Sequence, residues 1–169
     1  MNEKKINDEI FGELIWVNQW MGINSYLEIG KARVAVIGPK SWLGDPFEIT
    51  ANQRSVFRGL QSSWKTTRLS VIKAIELYAL GRLEAGLLED LDLEIMQEYE
   101  SNRNLDQFEL MLYDMSIVVT PDISTSTPQV VIDYNCKWEE GRGVSCLIAS
   151  ETNIDVRPGG FYPSSEMLS

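Results

Sequence analysis

Apolar and polar positions change period along this chain, and the changes divide it into segments. Phe11 to Gln19, Ser25 to Ile29 and Ala32 to Ile37 read as three strands of an antiparallel meander. Met21-Gly22 and Gly30-Lys31 supply the breaks, because glycine tolerates turn backbone angles. Val34 and Val36 are β-branched and suit a pleated surface. Residues 1–8 are polar and read as a frayed arm. Residues 38–48, with Pro39 and Pro46, read as a loop. Thr50 with Gln53 three residues later forms a capping box, which opens a helix. Val56, Phe57, Leu60 and Trp64 follow at helical spacing; Leu69, Val71, Ile72, Ile75, Tyr78 and Ala79 resume it after Ser62-Ser63. One helix over this stretch would be about 45 Å long, so two helices or one bent helix are expected over residues 50–82.

Residues 83–108 change character and predict short helical turns with surface loops. A strand is expected within Glu109 to Val119, and an exposed loop from Pro121 to Pro128. Val130, Ile132, Tyr134, Cys136 and Trp138 then alternate with Val131, Asp133, Asn135 and Lys137, which is a strand with one apolar face. Glu139 to Gly143 reads as its turn, and Val144, Cys146 and Ile148 as the returning arm. Trp138 opposite Val144 would set Cys136 against Cys146 and Tyr134 against Ile148. Ile154 and Val156 suggest a last strand. Strands, then helices, then strands predict one α+β domain over residues 1–169, with an antiparallel sheet from both ends of the chain against central helices.

Composition narrows the chemistry. Among 169 residues there is no histidine, which removes histidine bases, catalytic triads and histidine-ligated metal sites. Two cysteines are too few for a disulfide framework; Cys136 and Cys146 fall on the apolar face and are expected to pack as small hydrophobes. The N-terminus lacks a signal-peptide core, and no apolar run approaches a membrane span, so a cytoplasmic chain with reduced thiols is expected. The net charge of −10 argues against a nucleic-acid partner, and no membrane partner or cofactor is expected. The oligomeric state is left open.

The charge is segregated. Between Ala51 and Arg82 stand six bases and one acid; between Leu83 and Glu109 stand nine acids and one base, a net −8. Such blocks serve as solvated surfaces, pair with one another, or steer a basic partner. Glu89, Asp90, Asp92, Glu94, Glu98 and Glu100 are the candidate partner-binding residues, with Trp42 as an aromatic anchor. Asp90, Asp92 and Glu94 are spaced like the start of a calcium loop, but the glycine and the terminal bidentate glutamate are missing. Glu139 and Glu140, with Asp133, form the alternative: a carboxylate-dependent hydrolase. A self-associating structural or regulatory module is a third possibility.

The order of these elements, with Phe11-Gly12-Glu13-Leu14, Trp20, Gly22 and the run Cys136-x-Trp138-Glu139-Glu140-x-x-Gly143, is similar to an uncharacterised family of bacterial α+β domains. Its members close on a Trp-Asp-Glu-Glu-His-Gly-like turn between two strands. Here Glu139 stands at the family's Asp, Gly141 at its second Glu and Arg142 at its His. Some members resemble polymorphic-toxin immunity proteins. The resemblance implies a non-enzymatic immunity protein that binds and neutralises a cognate toxin, through a toxin domain with a basic surface.

Overall fold

A computed structural model describes residues 4–17, 19–24, 32–38, 46–88, 90–121, 127–138, 143–150 and 153–159. The chain is α+β. An eight-stranded, mostly antiparallel sheet uses strands from both ends of the chain, with the helices between them in sequence. The strands lie in chain order: β1 (Lys5–Asp8), β2 (Gly12–Trp16), β3 (Trp20–Asn24), β4 (Ala32–Val36), β5 (Leu112–Val119), β6 (Val130–Cys136), β7 (Val144–Ile148) and β8 (Ile154–Pro158). Between β4 and β5 come α1 (Ala51–Glu84), α2 (Asp90–Ser101) and α3 (Leu105–Glu109). That crossover returns β5 parallel to β4, with Val34 beside Ile117 and Val36 beside Val119. A parallel pair needs such a long helical connection, so the expected antiparallel sheet includes a parallel pairing here.

Two compact units divide the chain, the first from residues 1–64, 116–132 and 162–169, the second from 65–115 and 133–161. In the first, the supposed frayed arm is partly a strand, because Lys5 to Asp8 pair with Ile15 to Gly12. Asp8 is buried there. Its carboxylate accepts from the Ile10 and Phe11 amides and from Arg54, 2.8 Å away in an ion pair. Met21-Gly22 is not a break but lies inside β3. A Cβ on Gly22 would sit 2.7 Å from the Glu13 carbonyl oxygen, so glycine is there to let β2 and β3 approach. The reversal comes earlier, where the Val17 amide donates to the Gln19 carbonyl. Residues 25–29, expected as the second strand, lie outside the described residues.

The capping box forms as expected: the Gln53 amide donates to Thr50 Oγ1, and the Thr50 amide to Gln53 Oε1. Gln53 does more. It is buried, and its Nε2 donates to the carbonyls of Ile37 and Thr120, tying the ends of β4 and β5 to the start of α1. Phe11 stacks on Phe57 at 4.7 Å between centroids. Trp20 is buried, and its indole N–H donates to the Phe47 carbonyl. Pro121 and Pro128, the ends of the expected exposed loop, are buried; residues 122–126 lie outside the described residues.

α1 is a single 34-residue helix, not two. The hydroxyls of Ser62 and Ser63 both donate back to the Gly59 carbonyl, so the serine pair is satisfied inside the helix instead of breaking it. In the second unit Phe108 stacks on Trp138 at 5.0 Å and tilts against Tyr99 at 5.1 Å. Cys136 and Cys146 are buried and unbridged. β6 keeps its alternation towards its end, where Asn135 and Lys137 are exposed and Cys136 and Trp138 buried; Val131 is buried as well, so its start is covered on both faces. The hairpin register differs from expectation. Ser145 reaches Asp133, and a Cβ on Gly143 would meet the Tyr134 carbonyl at 2.4 Å. Gly143 therefore stands beside Tyr134, which a positive φ of 66° permits for glycine. The arm is thus shifted from the expected pairing, while the Ser145–Asp133 contact puts those two side chains on one face.

Candidate functional site

The acidic segment folds largely as helix, more regular than the short turns expected of it. α2 covers 12 residues, with Asp90 and Asp92 in its first turn, where carboxylates offset the positive end of the helix dipole. Met96 and Tyr99 are its buried anchors. At about 100° per residue, Asp90, Glu94 and Glu98 fall within one quadrant of the helix. All three are exposed. Asp92 points elsewhere, is half-buried and has a partner of its own. Glu100 is exposed, lies off the shared face, and pairs with Arg103 at 3.3 Å. The structure thus brings together three of the six acids. Glu89 and Trp42 lie outside the described residues. The calcium-loop spacing is a helix here, which turns Asp92 away from Asp90 and Glu94. Among the described residues no group of three or more His, Cys, Asp or Glu side chains could hold a metal ion.

Large apolar side chains stand out among these acids. Leu91 is 62% exposed and Leu77 is 70% exposed, and Leu87, between the two helices, is exposed too. The floor beneath α2 is held by specific bonds. Tyr99 Oη donates to the Glu76 carboxylate, and Arg68 pairs with Glu109, linking α1 to α2 and to α3. Burial and the Glu76 carboxylate push the Tyr99 hydroxyl up, so it stays protonated and remains a donor. Basic side chains of α1 are largely engaged: Arg82 donates to Tyr78 Oη and to the Leu87 carbonyl, and lies 5.9 Å over the Tyr78 ring. The basic and acidic segments do pair, through Arg68 with Glu109.

Two openings adjoin α2. A polar cleft of about 780 Å³ is lined by Glu98, Tyr99, Asn102, Arg103 and Gln107 among others. A groove of about 610 Å³ runs between the end of α1 and α2, with Leu77, Leu80, Leu83 and Leu93 in its lining together with Glu84 and Glu100. Sequence reasoning missed this groove. The signal was present: Leu69, Lys73, Leu77 and Gly81 recur at intervals of four, a row too polar to be a core face. All four are exposed.

The carboxylates of the hydrolase alternative do not form a described site. Glu139 and Glu140 lie outside the described residues, and Asp133 is half-buried and accepts from the Ser145 hydroxyl. Burial raises the Asp133 carboxyl above its usual range, against the opposing pull of that hydroxyl. Burial likewise pushes the Cys146 thiol up, with Asp133 and Asp155 adding to it, so the sulfur is an inert thiol and not a thiolate nucleophile. Compared with models of protein families, with curated proteins and with solved structures, the chain matches none. No helix among the described residues is long and apolar enough to cross a membrane.

Proposed function

We propose that this chain is a non-enzymatic binding protein that holds the basic surface of a protein partner against the outer face of α2, and that the partner is a cognate toxin which it neutralises. One observation carries the binding reading: a helix face that combines Asp90, Glu94 and Glu98 with the largely exposed Leu91. Solvated acids alone serve solubility. Apolar side chains held out of the core beside them supply what charge does not, a surface that gains by leaving water. The toxin identity comes from the resemblance to immunity-associated bacterial domains.

The acids would act chiefly on encounter. Complementary charge raises association rates and makes them salt-dependent, with smaller effects on lifetime. The test is the triple reversal Asp90→Lys, Glu94→Lys, Glu98→Lys against a basic toxin domain encoded beside this chain. Stopped-flow association at low salt should slow by about tenfold or more, and its dependence on salt should flatten or invert. Association at the unaltered rate with the unaltered salt dependence rejects the acidic face as the binding surface.

A further inference from the structure

We infer that the leucine-walled groove between the end of α1 and α2 is the docking site for a basic amphipathic helix of the partner protein. This rests on the binding reading above and names the shape and chemistry of what is bound. Three features of the groove select the occupant.

The first is the nature of its walls. Both are helices, Leu77 to Glu84 on one side and Leu93 to Gln97 on the other. Their backbone donors and acceptors are largely spent within the helices themselves. An extended segment laid here would find no strand edge to complete its own backbone bonds, and unmet backbone groups are costly. A helix brings its backbone already satisfied and offers only side chains.

The second is composition. Leu77 is 70% exposed, and Leu80, Leu83 and Leu93 are half-buried, so four leucines line the groove among its polar groups. The wall on α1 rises about 10 Å from Leu77 to Glu84, close to two helical turns, which fits apolar anchors at positions i, i+3, i+4 and i+7.

The third is charge. Glu84 is exposed in the lining, and the single base there, Arg103, is offset by its ion pair with Glu100, which leaves the groove net acidic. Flanking lysines or arginines on the occupant meet this negative charge, whereas an acidic helix would be repelled. Asp90, Glu94 and Glu98 on the neighbouring face of α2 add to the same field.

Three synthetic peptides of identical length test this: leucines at helical spacing with lysines elsewhere, the same composition with leucine and lysine alternating, and the helical pattern with glutamates in place of lysines. Binding to the full chain is read by fluorescence anisotropy. The helical lysine peptide should bind at least about tenfold more tightly than the alternating one, and the glutamate peptide should not bind measurably. Leu77→Gln, on a side chain too exposed to support the fold, should weaken the helical lysine peptide by about tenfold, with the circular dichroism spectrum unchanged. Equal affinity for the two lysine patterns, no binding of the helical one, or indifference to Leu77→Gln overturns the groove. If Leu77→Gln is without effect while the triple charge reversal still slows the partner, the groove is wrong and the acidic-face reading stands. If the groove binds its peptide while the triple reversal leaves the partner's association unchanged, it is the acidic-face reading that fails.

Discussion

Arg54 in the first unit is held by two contacts to the Asp8 carboxylate and by one to the Ile49 carbonyl, and the buried Gln53 beside it spends its whole side chain on backbone partners. In the second unit, Glu94 and Glu98 stand one helical turn apart on an exposed face with Leu91 beside them. Of seven large apolar side chains exposed among the described residues, Val17 belongs to the first unit and the other six to the second. Polar groups in the first unit close a strand–helix junction, and their removal should be felt as lost stability. Polar groups on α2 set like charges one turn apart on an exposed face, an arrangement that adds nothing to the fold.

The largest effect expected is at Gln53. Gln53→Ala removes the capping partner of the Thr50 amide and leaves the Ile37 and Thr120 carbonyls short of a donor in a buried place. Each unsatisfied buried group costs about 1–3 kcal/mol. A total loss of about 3 kcal/mol or more is expected, read from urea unfolding at constant m-value. A loss below about 1 kcal/mol would mean that water replaces the glutamine at this junction, and the contrast between the units would weaken.

Asp8, buried, and Asp133, half-buried, should answer to pH with opposite signs. Burial alone would raise Asp8, but the Arg54 guanidinium and the amides of Ile10 and Phe11 outweigh it and hold the carboxyl below its usual value of 3.8. A lowered folded pKa contributes stability that is present above the unfolded value and lost as pH falls through the folded one. Asp8→Asn should therefore cost about 2 kcal/mol near neutral pH and progressively less in acid. Asp133 is raised by burial, with only the Ser145 hydroxyl working the other way. A raised carboxyl contributes stability that is full below 3.8 and lost as pH rises through its folded value, so at neutral pH the charge is a burden. Asp133→Asn keeps an acceptor for Ser145 and should be neutral or stabilising by about 1 kcal/mol near neutral pH, and lose that advantage in acid. Unfolding of both variants across pH checks the pair of slopes; the same sign for both would mean that the two carboxylates share one electrostatic setting.

How much of this was legible in the sequence depended on distance along the chain. Thr50 and Gln53 meet within one turn, so the capping box could be read directly, and so could the face of Cys136 and Trp138. Gly22 was misread because a turn and a close strand approach both demand glycine, and only the position of Glu13 tells them apart. The parallel pairing of β4 with β5 depends on where a crossover of more than seventy residues returns, which no local pattern encodes. The hairpin kept its faces and lost its register, since period two fixes parity alone. On the acidic segment, counting charges located the region, but only the turn of the helix showed that Asp90, Glu94 and Glu98 share a face while Asp92 does not. Leu69 belongs to the same helical spacing as Val71 and Ile72 yet is 48% exposed, because it falls on the polar row with Lys73.

The smallest effect expected has a telling sign. Glu94 and Glu98 are four residues apart on α2, and like charges at that spacing repel. The last turn of α2 holds no base to offset the negative end of the dipole. Glu98→Lys corrects both at once: it turns a repulsive pair into a Glu-to-Lys pair in the favourable order and brings positive charge towards the C-terminal end. It should stabilise the protein by about 0.5 kcal/mol, read from urea unfolding at low salt, and the gain should shrink as salt is added. The same substitution should slow association with a basic partner, so that stability and binding move in opposite directions. A destabilising Glu98→Lys would show that Glu98 already has a favourable role within the fold, and its place on the binding face would then need no partner to explain it.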